Sequence, residues 1–318
     1  MFMKAAQIQK YGSPRVIAVN EVAVPFITPD QVLLKVYASS INPIDTILRE
    51  GYLRKAIPLQ LPLTLGYDVA GIVEETGQEV TEIRKGDRVF GQASILAGAS
   101  GAFAEFASVP AQLVSLSPPN LTFLQAAAFS LAGLSALQAL KDHLQLQRME
   151  RILIHGGSGG IGSIAIQMAK KLGAHVAVTA TGGGIDLARR LGADEIIDYG
   201  EQAFARILAD YDAVLDTRGG RIFKKSHKVL RQGGRIVSLH EQPDNRLMKK
   251  FGVHATYLQT RTTPQHLREL TEFVALNGIM INIDRTFPLA EIREAFEAKE
   301  REQILGKIAI QLRKEELL

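Results

Sequence analysis

Cysteine and tryptophan are absent from this 318-residue chain, and aromatic residues together make up only 6% of it. Without cysteine there is no disulfide, no thiol nucleophile and no zinc site built on thiolates. Net charge is also small, +4 from 37 basic and 33 acidic residues. Because no basic stripe interleaved with aromatic rings is evident, we expect no nucleic-acid partner.

A signal peptide is not predicted, because the first fifteen residues lack its apolar core and its small-residue cleavage site. One segment, Leu121–Leu140, has no charged residue and is long enough to span a bilayer. Its Gln, Ser and Thr side chains make it a poor solute for lipid. We expect a buried helix instead, no membrane partner and, in keeping with the lack of cysteine, a cytoplasmic protein.

The most informative segment that is present runs over Ile152–Gly173, ILIHGGSGGIGSIAIQMAKKLG. A short apolar strand pattern leads into a glycine cluster, and a helical pattern follows. Glycines spaced as G-x-G-x-x-G permit a tight turn and let the backbone approach a pyrophosphate at the helix N-terminus. The segment therefore predicts a dinucleotide-binding βαβ unit. Its predicted cofactor-binding residues are Gly157, Ser158, Gly159, Gly160, Ile161 and Gly162.

Strand and helix patterns continue to alternate after this unit. Further short strands are predicted at His175–Thr179, Glu195–Ile197, Ala213–Leu215 and Arg235–Leu239. Such alternation is typical of a doubly wound parallel sheet covered by helices on both faces. We predict a Rossmann domain over residues 121–259, beginning after the connection Pro118-Pro119-Asn120.

The end of the second Rossmann strand, Thr179–Gly184, carries no carboxylate. NAD-binding domains place an Asp or Glu about 20 residues beyond the glycine motif, where it hydrogen-bonds the ribose. A neutral strand end tolerates the 2′-phosphate of NADP, and the hydroxyls of Thr179 and Thr181 can donate hydrogen bonds to it. We predict NADPH as the cofactor.

The first 120 residues have a different pattern. Short strands separated by proline and glycine are predicted at Val32–Ala38, Val69–Glu75, Asp87–Gln92 and Ala104–Val109. This spacing predicts an antiparallel, barrel-like β domain. Beyond residue 260, helices are predicted at Pro264–Asn277 and Pro288–Arg301, followed by a strand at Lys307–Leu312.

Six stretches, taken in order, carry a family resemblance. They are SINPID (Ser40–Asp45), LGYDVAGIV (Leu65–Val73), KGDRVFG (Lys85–Gly91), AGLSALQAL (Ala132–Leu140), HGGSGGIG (His155–Gly162) and LGKI (Leu305–Ile308). With them the chain resembles the zinc-free quinone oxidoreductase group of the medium-chain dehydrogenase/reductase superfamily over nearly its whole length. The resemblance implies a GroES-like β-barrel catalytic domain made of residues 1–120 and 260–318, with the Rossmann domain inserted and the active site in the interdomain cleft.

The resemblance also implies how the catalytic domain works. Zinc-dependent members usually carry Cys at the position of Asn42 and His-Glu at Tyr67-Asp68, so no metal is expected here. Asn42 is implied to orient a carbonyl or a ribose hydroxyl, the alternative being a simple turn residue. Tyr52 and Tyr67 are candidate proton donors, with Asp45 as polar support, and water is the alternative donor.

Three further residues complete the predicted cofactor site, namely Ser135, Tyr199 and Leu239. By resemblance, Ser135 lies near the nicotinamide, or else only packs inside a helix, and Tyr199 flanks the 2′-phosphate or the adenosine. The chain departs from many members in two places. Ile47 stands where zinc-free members have Tyr, and Gly183 stands where NADPH-binding members hold Lys.

The predicted reaction is hydride transfer from NADPH to a quinone or to the β-carbon of an enone, acceptors that need no strong Lewis acid. Two alternatives stay open: a reductase of lipid-derived alkenals or enoyl compounds, and a dinucleotide-binding protein with secondary or no redox activity. A homodimer is expected, formed by pairing of the sheet edges near Gly252–Leu258.

Overall fold

The computed structural model describes residues 1–315. Its strands are β1 (Phe2–Ile8), β2 (Ile17–Ala23), β3 (Gln31–Ser40), β4 (Leu63–Thr64), β5 (Asp68–Thr76), β6 (Arg88–Gln92), β7 (Phe106–Pro110), β8 (Val114–Leu116), β9 (Arg151–His155), β10 (His175–Ala180), β11 (Glu195–Asp198), β12 (Tyr211–Asp216), β13 (Leu230–Ser238), β14 (His254–Tyr257), β15 (Ile283–Pro288) and β16 (Lys307–Gln311). Its helices are α1 (Pro43–Glu50), α2 (Phe123–Leu137), α3 (Gly160–Lys171), α4 (Gly183–Arg190), α5 (Phe204–Ile207), α6 (Gly220–Ser226), α7 (Asn245–Phe251), α8 (Pro264–Asn277) and α9 (Ile292–Arg301).

The chain divides into two compact units. The first unit contains Met1–Leu131, Thr262–Leu276 and the described residues from Ile283 onward, and the second contains Ala132–Arg261 and Asn277–Asn282. The predicted boundary after residue 120 lies in the loop before α2, whereas the division in the structure falls within α2. One continuous helix thus belongs to both units. The predicted boundary was placed at proline and asparagine residues of a loop, and such residues give no sign of a division inside a helix.

The first unit is built on two β-sheets. One has the order β2-β1-β4, and the other has the order β15-β16-β3-β5-β6-β8, with β7 also pairing β3. Apart from β15 and β16, which run parallel, the paired strands are antiparallel. This confirms the predicted antiparallel β domain. Strand β3 lies at its centre and is almost entirely buried, so the core forms on this strand and its neighbours.

The second unit contains a six-stranded sheet with the order β11-β10-β9-β12-β13-β14. Every neighbouring pair in it is parallel, which confirms the predicted doubly wound sheet. Its central strands are continuous apolar runs, as strands buried on both faces require. Because parallel strands end at one edge of the sheet, the loops after β9, β10 and β12 gather there.

Helix α2 continues as a π-helical turn over Gln138–His143. The 21-residue segment Phe123–His143 is long and apolar enough to cross a membrane. Its most apolar stretch of 18 residues has a mean hydropathy of 1.5, but 83% of that stretch is buried inside the protein. A core helix accounts for both its length and its composition, in agreement with the buried helix predicted over Leu121–Leu140.

Candidate functional site

The glycine motif forms the turn between β9 and α3. Gly156 adopts φ +71° in this turn, a conformation that favours glycine. A Cβ atom on Gly162 would lie 2.2 Å from the carbonyl oxygen of Gly156, and one on Gly157 would lie 2.9 Å from Cβ of Val178. Both positions must therefore be glycine for α3 to pack on the turn and for the turn to pack on β10.

Gly159 has a different role. A Cβ atom there would meet no protein atom closer than 3.4 Å, so packing of the protein itself does not demand glycine. Gly159 is the N-cap of α3, and Gly160 and Ile161 begin the helix, with Ser158 just before it. The first N–H groups of a helix have no intrahelical partner and attract anions. The space and polarity of this turn fit a dinucleotide pyrophosphate.

His155 is buried behind the turn and held by two hydroxyl groups. Ser226 Oγ donates to the carbonyl of Ile222 (2.8 Å) and so accepts from His155 Nε2 (2.8 Å). The Nδ1 atom then accepts from Thr179 Oγ1 (3.1 Å), and that oxygen accepts from the N–H of Gly156 (3.3 Å). Burial lowers the pKa of His155 to about 4, which keeps the ring neutral. The hydroxyl proton of Thr179 serves this network, and its role toward a cofactor stays a prediction.

The end of β10 is less neutral than the sequence indicates. Asp198, on the neighbouring strand β11, is in register with Ala180 and accepts a hydrogen bond from the N–H of Gly200 (2.9 Å). Asp198 Oδ1 and Thr181 Oγ1 lie 3.2 and 3.5 Å from the Cβ position of Gly200. A carboxylate therefore lies close to Thr181, brought there by parallel strand pairing. Tyr199, in the same turn, is 57% exposed.

The two other predicted cofactor residues also lie in the second unit. Ser135 Oγ is 2.8 Å from Thr260 Oγ1, and one of the two hydroxyls donates to the other. Leu239 follows β13, and its N–H donates to the carbonyl of Asp216 (3.1 Å). Their contacts with a cofactor stay predictions.

In the first unit, Asp68 lies at the centre of a buried polar cluster. Its Oδ2 atom accepts from Ser40 Oγ (2.5 Å), Asn42 Nδ2 (2.7 Å) and Lys307 Nζ (3.2 Å). Its Oδ1 atom accepts from the N–H of Leu131 (3.0 Å). Asp68 is fully buried, so these four donors replace the water that a carboxylate otherwise requires.

Lys307 brings a buried positive charge to the same cluster. Its Nζ donates to Asn42 Oδ1 (2.5 Å) and to the carbonyl of Ile41 (3.2 Å) in addition to Asp68, so three acceptors match the three N–H bonds of the ammonium. Asn42 is only 3% exposed, and both ends of its amide are engaged, by Lys307 and by Asp68. The cluster therefore fixes the orientation of the Asn42 amide.

Asp45 supports the backbone around Asn42. Asn42 is the N-cap of α1, with Pro43 at the first helical position, and its N–H donates to Asp45 Oδ2 (2.8 Å). The N–H of Gly66 donates to Asp45 Oδ1 (3.2 Å). Burial, opposed by the hydrogen bond from Asn42 and reinforced by the charge of Asp68, raises the pKa of Asp45 to about 7. The predicted role of Asp45 as polar support for a tyrosine donor stays a prediction.

The two candidate tyrosines lie in unlike surroundings. Tyr52 follows α1 and is 74% exposed. Tyr67 precedes Asp68 and is partly buried, and burial raises the pKa of its phenol although a hydrogen bond with Ser94 opposes the shift. Of the two, only Tyr67 adjoins the Asp68 cluster in sequence.

The sequence did not identify Ser40 and Lys307 as members of the cluster, although both lie in stretches that carry the family resemblance. The signal in the sequence was a carboxylate without a visible partner. Asp68 in an apolar strand needs buried hydrogen-bond donors, and the lysine that begins the strand pattern KIAIQL is a natural source.

The residues at the family's zinc positions do not form a metal site. No cluster of three or more His, Cys, Asp or Glu side chains that could hold a metal is present in residues 1–315. Oxygen atoms of Asn42 and Asp68 accept hydrogen bonds from the ammonium of Lys307, so a positively charged group already occupies the place beside them. This donor set does not fit zinc.

Two family models match the chain. Residues 28–119 match the alcohol dehydrogenase GroES-like domain, and residues 191–310 match the zinc-binding dehydrogenase family. Among curated proteins, the NADPH-dependent alkenal/one oxidoreductase of Arabidopsis thaliana is 32% identical over 97% of this chain and 79% of its own length. Human quinone oxidoreductase is 30% identical over 93% of each chain. The 2-methylene-furan-3-one reductase of Solanum lycopersicum is 39% identical over 74% of this chain, but that match spans only 62% of the tomato protein.

Solved structures agree with these matches. The quinone oxidoreductase from Coxiella burnetii superposes with a TM-score of 0.90 at 33% identity and covers 98% of this chain and 100% of its own. The Escherichia coli quinone oxidoreductase, solved in complex with NADPH, gives a TM-score of 0.87 at 26% identity, with 97% and 100% coverage. The chain belongs to the medium-chain dehydrogenase/reductase superfamily, in its quinone oxidoreductase group, with a GroES-like domain and a Rossmann domain.

Proposed function

We propose that the protein is an NADPH-dependent oxidoreductase that reduces a quinone or an α,β-unsaturated carbonyl compound. The observation that carries the proposal is the β9–α3 turn, in which Gly157 and Gly162 are required by packing while Gly159 leaves space in front of the helix. This is the geometry that a dinucleotide pyrophosphate needs. Relatives named for NADPH-dependent alkenal/one and quinone reduction support the acceptor class.

Bound NADPH would supply the hydride. The residues of this chain bind and orient. The α3 N-terminus holds the pyrophosphate, and the neutral His155 fixes Thr179 and Gly156 behind it. In the first unit the Lys307–Asp68 pair fixes the Asn42 amide. A developing enolate or hydroquinone oxygen needs only hydrogen bonds and a proton.

Turnover tests the proposal directly. The protein is mixed with NADPH and a panel of quinones, enones and lipid-derived alkenals, and the loss of reduced cofactor is followed. Turnover of quinones or simple enones is the expected result. Preference for long-chain alkenals favours the second candidate, which the name of the Arabidopsis relative supports. NADPH binding without any turnover would contradict the enzyme and favour a dinucleotide-binding protein.

Zinc independence is part of the proposal. Lys307 places an ammonium on Asn42 and Asp68, so a dication beside them would be repelled. We expect the purified protein to contain no stoichiometric zinc and to keep its activity after treatment with a chelator. Elemental analysis that finds one tightly bound zinc per chain would contradict this part of the proposal.

A further inference from the structure

The loop between β12 and α6 is held rigidly beside the glycine turn. The carboxylate of Asp216 accepts hydrogen bonds from the N–H groups of Arg218 (3.0 Å) and Gly219 (3.0 and 3.1 Å). Thr217 Oγ1 donates to the carbonyl of His155 (2.7 Å), the residue that ends β9. The backbone of Arg218 is therefore fixed against the strand that leads into the glycine motif.

The side chain of Arg218 lies on the turn itself. Its Cδ and Cγ atoms lie 3.3 and 3.7 Å from where a Cβ atom on Gly156 would be, so the stem of the side chain runs beside the turn. Arg218 is exposed, and no carboxylate pairs with its guanidinium among residues 1–315. A permanent positive charge thus lies beside the turn without an ion pair, and the nearby Glu241 carboxylate accepts a hydrogen bond from the N–H of Gly220 (2.7 Å).

The sheet order determines which part of a dinucleotide this charge can reach. Strand β9 has β10 on one side and β12 on the other. A bound dinucleotide places its pyrophosphate at the turn after β9 and its adenosine ribose at the end of β10. Arg218 follows β12 and lies across the turn from Thr181, so it is on the side away from the 2′-phosphate.

From this placement we infer that the Arg218 guanidinium binds the diphosphate of the cofactor, a group that NADPH and NADH share. The inference rests on the proposed function, because it concerns the same cofactor. An arginine fork matches two phosphate oxygens at once, and the fixed backbone and packed stem reduce the loss of side-chain freedom on binding. Arg218 would then contribute to the affinity for both dinucleotides. It would not contribute to the choice between them.

The experiment compares three variants by fluorescence titration with NADPH and with NADH. Arg218→Gln removes the charge and keeps most of the stem, and we expect it to weaken both dinucleotides by about tenfold to a hundredfold, the range for one hydrogen bond to a charged group. Their affinity ratio should change less than about twofold. Arg218→Lys should recover part of the loss. Lys224→Gln, the same charge change further along α6 from the loop, is the control and should leave both affinities unchanged.

The outcomes separate this inference from the proposed function. If the wild-type protein binds neither dinucleotide, both are overturned. If it binds NADPH and Arg218→Gln weakens NADPH alone, Arg218 contacts the 2′-phosphate and the inference is wrong. Equal affinities in Arg218→Gln and the wild type also overturn it while the proposed function stands. Because Arg218 is exposed, circular dichroism and melting temperature should match the wild type, which shows that any loss arises at the site.

Discussion

Asp68 shows how this fold tolerates a charge at full burial. Four donors surround its carboxylate, and one of them, Lys307, is itself a buried ion that has no acceptors other than Asp68, Asn42 and the Ile41 carbonyl in the described cluster. Such a pair adds little to stability relative to an apolar pair of the same volume. Its effect is to fix one orientation of the Asn42 amide, because each end of that amide meets a different charge.

Breaking this pair should be costly. Lys307→Met keeps the apolar stem and leaves the Asp68 carboxylate buried without its cation, so we expect the free energy of unfolding to fall by about 3–5 kcal/mol. Urea unfolding measures the change. The control is Lys85→Met, since Lys85 is exposed and pairs with Glu74 at 3.0 Å on the surface. It should cost less than about 1 kcal/mol, and equal effects of the two variants would contradict our interpretation of the cluster.

Asp45 predicts a pH dependence of stability. Its pKa rises from 3.8 to about 7 on folding, so between these values the folded state binds the proton and the unfolded state does not. Its contribution to stability therefore falls as pH rises from about 4 to 7, which is the opposite of a salt-bridged carboxylate. Compared with Asp45→Asn, the wild-type protein should lose about 2–3 kcal/mol of unfolding free energy between about pH 5 and pH 8. A constant difference between the two proteins across this range would contradict the shift.

Among the structural elements, we expect the loop between β10 and α4 to govern the choice of cofactor. Thr181 begins this loop, with Asp198 close by on β11. Thr181→Asp adds a second carboxylate where the 2′-phosphate is expected and should reverse the preference, making NADH the tighter ligand. A like-charge pair costs on the order of 1–4 kcal/mol when partly screened, roughly one to three decades in affinity. Fluorescence titration with both cofactors measures the ratio.

Two controls accompany this substitution. Thr181→Asn has nearly the shape of Asp without its charge and should keep the preference for NADPH. Asp198→Asn removes the neighbouring charge and should strengthen NADPH without strengthening NADH. Ala180→Asp is unsuitable, since Ala180 is buried in β10 and a carboxylate there would unfold the strand. Tighter binding of NADH by the unmodified protein would show that our interpretation of this loop is wrong.

The elements differ in how well the sequence predicts them. The central Rossmann strands β9, β10 and β12 were predicted because each is a buried, mostly apolar run next to a turn, and α8 was predicted with its observed bounds. Strands β1, β2 and β15 were not predicted. In β2 and β15 most residues are partly buried or exposed, and β15 ends in proline, so their apolar pattern is weak. Pairing with neighbouring strands, rather than local pattern, forms them.

The residues of the candidate site also differ in whether local sequence or long-range contact brings them together. The glycine turn is local, so the sequence predicted its residues together, and the structure places them in one turn before α3. The Asn42 cluster is not local: Lys307 is 265 positions from Asn42 and 239 from Asp68. Asp198 reaches Thr181 through strand register alone. Contacts of this kind depend on the completed sheets, which motif spacing does not contain.

At the scale of the molecule, the first unit is closed by the last strand of the described chain. Strand β16 pairs β3 antiparallel, so a segment near the C-terminus completes the sheet that the N-terminal segment begins. Lys307 is the first residue of β16, which places a charge essential to the Asn42 cluster on the final element. The first unit therefore needs both ends of the described chain, and the second unit can be inserted between them without interrupting either sheet.

Strand β14 gives the molecule an open edge. It is the last strand of the parallel sheet and pairs only β13 within residues 1–315. An exposed edge of this kind is a template for pairing with another chain. Across a two-fold axis, the same strand of two copies can pair, and each strand then supplies hydrogen-bond partners for the free backbone groups of the other. We propose a homodimer formed in this way, and we expect a solution mass twice the 34.7 kDa of the chain at micromolar concentration.

Ala255→Lys tests this edge, since Ala255 lies within β14 and is partly buried in the single chain. Two-fold pairing would bring the two new ammonium groups near each other, and like charges across a strand pair destabilise it. We expect the variant to dissociate at concentrations at which the wild-type protein remains dimeric, measured by light scattering after size-exclusion chromatography. Gln265→Lys adds the same charge to an exposed position on α8 and should leave the dimer intact. A monomeric wild-type protein would refute the dimer, and a dimer that survives Ala255→Lys would place its interface elsewhere than β14.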